Sequence, residues 1–338
     1  MGKRNCAPWP PGAWRKDLAG VVTDVDELLR LLGLGDHPPY ATPSALRGFP
    51  LRVPRAFIDR MRPGDPADPL LRQVLPVAKE DVPAPGFTAD PVGELSSPPA
   101  DSVLHKYQGR ALVMVTGACA VHCRYCFRRH FPYAELGSAP PEWDAAVDRI
   151  TLDPAISEVI LSGGDPLTVP DSRLEVLGRK LAALPQLKRL RLHTRMPIVL
   201  PQRVDGALTS WIGGLGLPTV VVVHVNHANE IDDNVRRALA ALAATGVTLL
   251  NQTVLLAGVN DSVDALGDLS EDLFDAGVLP YYLHMLDPVA GAAHFKVSDG
   301  EAKRLHAGVT ARLPGYLVPK LVREVPGAPA KVGVDLWT

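Results

Sequence analysis

Six short apolar runs, rich in Val, Leu and Ile, recur at residues 111–116, 158–162, 189–194, 219–225, 248–256 and 281–286. Runs that stay apolar at nearly every position suit strands covered on both faces, as in a parallel sheet. Between them the period lengthens to that of a helix, at about 141–152, 171–184, 203–214, 231–245, 262–276 and 298–313. Strand and helix in alternation imply right-handed crossovers. Closed on itself such a sheet is a barrel; stopped short of eight units it is an open (β/α)6 barrel. In both α/β arrangements the chemistry belongs at the carboxyl ends of the strands.

The first hundred residues read differently, because about half of the 33 prolines fall there. One helix stands out at 25–34, with Val25, Leu28, Leu29 and Leu32 on one face and Thr23 or Asp24 placed to cap it. The rest of this segment is expected to wrap or tether, and Ser-Pro-Pro-Ala-Asp at 97–101 reads as a turn before the core begins. Three regions follow: a helical and irregular extension at 1–104, a strand–helix core at 105–315, and a tail at 316–338. A strand-like stretch at 316–322 can carry the tail back over the barrel mouth.

Charge and composition narrow the partners. A net charge of −2 with acids and bases interspersed gives no basic face for nucleic acid. No run approaches 18 apolar residues and the N-terminus lacks the apolar stretch of a signal peptide, so a soluble, cytoplasmic protein with no membrane partner is expected. Four cysteines make no disulfide framework when three lie within eight residues, which agrees with a reducing compartment. Cys6, alone near the terminus, is assigned no role.

Those three cysteines carry the strongest signal. Cys119, Cys123 and Cys126 follow the first core strand at the spacing Cys-x3-Cys-x2-Cys. Three thiolates can hold three irons of a [4Fe-4S] cluster and leave the fourth open to a small molecule. With His122 or His130 the same thiolates could instead complete a zinc site. Ser162, Gly163, Gly164 and Asp165 end the second strand, where two glycines let backbone approach a ligand. His193-Thr194-Arg195, Asn226-His227 and Asn251-Gln252 fall at or near the ends of later strands.

The cysteine spacing, with Tyr125 before the third cysteine, resembles the radical S-adenosylmethionine (SAM) enzymes. Several blocks narrow the resemblance to the lysine 2,3-aminomutases over about residues 95–331: the run from Cys126 to Tyr133, Leu-Ser-Gly-Gly-Asp-Pro-Leu at 161–167, His193-Thr194-Arg195, the stretch 251–256, and 281–284 through His294-Phe295. Within that family Arg128-Arg129-His130-Phe131-Pro132-Tyr133 and the short C-terminus look most like the branch that serves elongation factor P. The resemblance implies an isomerase on an open (β/α)6 partial TIM barrel of the radical SAM type. It would convert (S)-α-lysine to (R)-β-lysine by 2,3-amino migration, with a [4Fe-4S] cluster, SAM and pyridoxal 5′-phosphate (PLP) as cofactors. The β-lysine would pass to a ligase that modifies elongation factor P, and a flavodoxin- or ferredoxin-like donor would supply the electron.

The resemblance also implies roles for residues. Cys119, Cys123 and Cys126 would hold the cluster, with Tyr125, Ser162, Gly163, Gly164, Asp165 and Gln252 against SAM. Lys331 would bind PLP and Lys106 and Arg110 its phosphate; the family's glycines before this lysine are largely Ala and Pro here. Arg128 matches the family's carboxylate-binding arginine, and its planar fork suits an α-carboxylate. Asp287 and Glu324 match the pair that holds the ε-ammonium, with Glu324 standing where the free-lysine enzymes carry Asp. Two carboxylates select a cation, which favours lysine over an anionic substrate such as glutamate. A free lysine 2,3-aminomutase of catabolism, osmolyte or antibiotic synthesis and a zinc-stabilised binding protein are the alternatives.

Overall fold

The structure, a computed structural model, describes residues 9–35, 48–94, 102–133 and 143–334. Cys6, the turn expected at 97–101 and the Lys106 side chain lie outside the described residues. One nine-stranded sheet runs in chain order: β1 (Val103–Tyr107), β2 (Arg110–Thr116), β3 (Glu158–Gly163), β4 (Arg189–Thr194), β5 (Thr219–Val223), β6 (Thr248–Val254), β7 (Leu279–His284), β8 (Lys320–Arg323) and β9 (Val332–Gly333). Neighbours from β2 to β8 pair parallel, and β1 and β9 are antiparallel margins. No pairing joins β9 to β1 among the described residues, so the sheet is an open partial barrel.

Among the described residues short helices precede the sheet at α1 (Trp14–Ala19), α2 (Val25–Leu31), α3 (Arg55–Ile58) and α4 (Pro69–Arg72). The crossovers carry α5 (Asp144–Thr151), α6 (Asp171–Ala182), α7 (Met196–Val199), α8 (Gly206–Gly213), α9 (Asp233–Ala243), α10 (Val263–Asp275) and α11 (Asp299–Arg312). Local chemistry sets their ends. Asp205, Asp232, Ser262 and Ser298 accept first-turn amides as N-caps. Gly277, at φ 80°, closes α10 with amide bonds from Gly277 to Phe274 O and from Val278 to Leu273 O, both 2.9 Å. A left-handed residue is needed there, and glycine takes it without strain.

The β3 strand is buried at all its positions, whereas β4 and β6 alternate buried and half-buried residues. The alternating strands therefore send every second side chain toward the lumen. The extension does more than tether. Trp14, Leu28, Phe57, Leu70 and Leu71 are fully buried in the same apolar cluster as Ile150, Leu161 and Leu192. The helix expected at 25–34 stops at Leu31, with Asp24 capping the Glu27 amide at 2.8 Å. The strand-like stretch at 316–322 opens with a helical turn, Gly315–Leu317, and only then becomes β8. Among the described residues no helix is long and apolar enough to cross a membrane.

Candidate active site

The site begins where β2 ends. Beyond Thr116 the chain folds into tight turns, with the Cys126 amide on Cys123 O at 2.9 Å and the Arg129 amide on Cys126 O at 3.1 Å. These turns draw Cys119, Cys123 and Cys126, all free, into one group. Burial pushes the Cys126 thiol up to about 11, and the neighbouring Cys123 charge adds to it. Cys119 is raised well above its ordinary value by burial and then by Cys126. Thiols crowded this way resist ionising without a cation, and binding a metal releases their protons. Among the described residues no three His, Cys, Asp or Glu side chains converge tightly enough for a single ion. A four-iron cluster makes no such demand, because its thiolates sit on separate irons.

The end of β3 is packed against this loop by glycine. A Cβ on Gly163, whose φ is 118°, would stand 2.4 Å from Thr116 O, and one on Gly164 would stand 2.3 Å from Ala118 O. Backbone bonds from Gly164 to Thr116 O at 2.6 Å and from Asp165 to Ala118 O at 2.8 Å close the contact. Asp165 faces inward along the strand ends. Its carboxylate accepts from Thr194 Oγ1 and the Arg195 amide, each at 2.7 Å, and from the Leu167 and Met196 amides at 3.0 and 3.2 Å. It therefore ties β3 to β4.

Arg195 brings a cation to the thiols. Its Nη1 lies 2.8 Å from Cys123 Sγ and 2.8 Å from the Tyr125 hydroxyl, and its Nη2 reaches Gln73 Oε1 at 2.6 Å and Glu230 Oε2 at 2.9 Å. The Tyr125 hydroxyl also meets His224 Nε2 at 2.7 Å and accepts from Asn226 Nδ2 at 2.6 Å. Burial pushes the Glu230 carboxyl up, but the Arg195 charge and hydrogen bonds from Arg195, the Asn226 amide and Gln73 hold it below the usual range. Burial, with Arg195 beside it, takes His224 down to about 3. Gln252 stands half-buried in β6. Under the loop Glu80 accepts from both Arg124 and Arg129, the latter at 2.7 Å.

Arg128 is not an idle fork. Its Nε and Nη2 form a bidentate pair with Glu94 at 2.7 and 2.9 Å, while Nη1 points to Ser162 Oγ and Gly163 O at 3.3 Å each. Burial would lower this guanidinium, but Glu94 overrides it and holds the pKa above its ordinary value.

The remaining residues lie toward the tail. Asp287 and Glu324 leave neighbouring parallel strands at the same end, three residues past His284 and two past its register partner Val322. Glu324 accepts from Lys331 Nζ at 2.7 Å and from the Tyr107 hydroxyl. The Arg110 guanidinium lies 5.0 Å over the Tyr107 ring. Inside the lumen the Nε2 atoms of His193 and His284 are buried without a partner among the described residues. Burial and then Lys331 bring His284 down to about 3. His193 is lowered well below its ordinary value too, by burial and then by Arg191, Lys331 and Arg128. An amine, two orphaned imidazole nitrogens and nearby guanidinium groups fit a polar, anionic aldehyde such as PLP.

Sequence reasoning thus brought together the thiols, the Gly163–Gly164 turn and Arg128, but it missed Gln73, Glu80, Glu94, Tyr107 and Glu230. The only signal for these was position, namely acids shortly before the cysteine motif and an Asn-Glu pair after β5.

Comparison with known proteins gives the following. No protein-family model matches the chain. The chain is 52% identical over 324 residues to the L-lysine 2,3-aminomutase of Escherichia coli (strain K12), covering 96% of this chain and 94% of that one. It is 46% identical over 318 residues to the protein of the same name from Haemophilus influenzae, covering 94% of each. To that of Clostridium subterminale it is 33% identical over 322 residues, covering 95% of this chain and 77% of the other.

Proposed function

The chain belongs to the L-lysine 2,3-aminomutase family, and we propose that this isomerase converts (S)-α-lysine to (R)-β-lysine for the modification of elongation factor P. The observation that supports it most is the group of three free thiols at the carboxyl edge of the sheet, beside Arg195 and against the Gly163–Gly164 turn. Bound there, a [4Fe-4S] cluster would pass one electron to SAM to yield a carbon radical, and PLP would supply the π-system for nitrogen migration.

The chain's own residues bind, orient and exclude water. Cys119, Cys123 and Cys126 hold the cluster, and Arg195 offsets the negative charge at Cys123 Sγ. Bare backbone at Gly163 and Gly164, with Ser162, Tyr125 and Gln252 around it, receives SAM, while Asp165 keeps the β3 and β4 ends in register for it. Lys331 carries the amine that meets the cofactor aldehyde, and Arg110 and Lys106 provide cations for its phosphate. Glu94 grips one edge of Arg128, and its Nη groups, of which Nη1 makes only long 3.3 Å contacts with Ser162 Oγ and Gly163 O, would turn to a substrate α-carboxylate. Asp287 and Glu324 attract the ε-ammonium. His193 and His284, held neutral by burial, donate or accept a hydrogen bond without adding charge to the lumen.

The link to elongation factor P is supported by the Arg128–Tyr133 motif; the electron would come from a flavodoxin- or ferredoxin-like donor in the cytoplasm. The decisive assay is anaerobic, with iron-reconstituted protein, SAM, PLP, reductant and α-lysine, followed by chiral separation of the products. (R)-β-lysine is expected, together with loss of most iron and all SAM cleavage in Cys123→Ala. No β-lysine from protein with a full cluster, or full iron in Cys123→Ala, defeats the proposal. An (S) product points instead to a free-lysine enzyme.

A further inference from the structure

One buried guanidinium links Cys123 to a buried carboxylate. Arg195 follows β4, and its Nη1 lies 2.8 Å from Cys123 Sγ, while Nη2 donates to Gln73 Oε1 at 2.6 Å and to Glu230 Oε2 at 2.9 Å. The Arg195 and Glu230 side chains are 6% and 0% exposed, so little water screens either charge. Neither can swing away. The guanidinium lies 5.4 Å over the Phe57 ring, and Glu230 Oε1 accepts the Asn226 and His227 amides at 2.9 and 3.1 Å and Gln73 Nε2 at 3.1 Å. A guanidinium stays charged. A fixed positive charge therefore touches one thiol sulfur, with a fixed negative charge one side chain farther out.

We propose that Arg195 and Glu230 form a fixed charge pair that sets the reduction potential of the cluster held at Cys123, the guanidinium raising it and the carboxylate trimming the rise. This rests on the cluster role given to the three cysteines above. Reduction moves one electron from the external donor onto the cluster; no bond breaks in that step, and the cluster gains one unit of negative charge. Hydrogen bonds and charge at the sulfurs set how readily that happens. A cation at Cys123 Sγ favours the more negative, reduced cluster, so it raises the potential. Glu230, beyond the cation, cancels part of that field. The balance suits a cluster that has both to take up an electron and to hand it on. With the cation alone it would fill easily and give the electron to SAM reluctantly, and with neither charge it would be hard to fill.

The test is anaerobic potentiometry of the iron-reconstituted full-length chain without SAM, PLP or lysine, with the reduced cluster read by its electron paramagnetic resonance signal and iron content measured for each protein. Arg195→Gln should lower the midpoint so that the ratio of reduced to oxidised cluster at a given potential falls about tenfold, about 59 mV for one electron. Glu230→Gln should raise the midpoint, by a smaller amount. Arg195→Lys keeps the charge and should stay closer to the parent than Arg195→Gln does. Opposite signs are the diagnostic result, since damage to the loop moves both variants alike. An unchanged midpoint in Arg195→Gln, a fall or no change in Glu230→Gln, or Arg195→Lys as low as Arg195→Gln would each overturn the proposal. Where one variant holds no iron, the sign in the others decides; loss of iron in all three assigns the pair to holding the loop and overturns the proposal as well. A parent that binds no iron removes the cluster role itself, and the proposal with it, whereas a loaded parent with unresponsive midpoints in the variants defeats the proposal alone.

Discussion

The cysteine side of the barrel and the tail side are both held by ion pairs, of opposite kinds. Around the cysteine loop Glu80 binds two arginines, Glu230 binds Arg195 and Glu94 binds Arg128, all buried and most joined by further hydrogen bonds. The tail is closed by β8 and a two-residue β9, with the half-covered Lys331–Glu324 pair at the mouth of the hairpin. Buried charges with several partners cannot exchange them without exposing an unpaired charge, so they fix geometry. A half-covered pair is screened by water and is worth less to the fold.

The largest expected effect tests this contrast directly. Glu80→Gln leaves Arg124 and Arg129 short of a shared counter-ion in a dry site, which should cost about 3–5 kcal/mol of stability by chemical denaturation. Glu324→Gln should cost less than about 1 kcal/mol, since Lys331 can turn to water. Equal losses would show that the tail pair is as structural as the loop pairs, and the comparison would fall.

A smaller effect separates positioning from folding on the cysteine side. Glu94→Gln keeps the shape beside Arg128 and removes the charge that orients it. Where Arg128 receives the substrate carboxylate, KM for lysine should rise about tenfold, roughly 1.4 kcal/mol, with kcat changed much less. A fall in kcat at unchanged KM would place Glu94 outside substrate positioning.

What was legible before the structure follows the same division. Strands β2, β3 and β5 announced themselves as near-continuous apolar runs, and β4 and β6 by apolar residues at alternate positions. The margin β1, Val-Leu-His-Lys-Tyr, did not, because a strand paired on one side alone tolerates polar residues. The thiols and the Gly163–Gly164 turn were readable because each is a local spacing with one chemical use. Glu80 and Glu230 were not, because their partners lie 44 to 49 and 35 residues away in sequence and only the sheet brings them together. Nor could spacing show that the fork of Arg128 is already gripped by Glu94, or that Glu324 faces Lys331.

The smallest effect is the most specific, because it uses two histidines with equal depression and different neighbours. His224 and His284 both lie near 3, against an ordinary value of 6.5, and burial is the first cause in each. The second cause is Arg195 for His224, fixed within the loop network, and Lys331 for His284, carried by the tail. Above pH 6.5 neither affects stability, since both are neutral folded and unfolded. As pH falls below 6.5 the unfolded chain takes up protons that the folded chain refuses, so stability declines toward pH 3 by at most about 1.4 kcal/mol per pH unit for each histidine. Lys331→Met removes one cation from His284 and none from His224. The imidazole signals of the isotopically labelled protein should therefore show His284 titrating at higher pH while His224 stays put, with a slightly shallower loss of stability in acid. If both histidines move together, the tail charge is felt across the whole lumen and the two sides are not independent. If neither moves, Lys331 lies too far from His284 to act on it, and the tail cannot sit where Glu324 holds it.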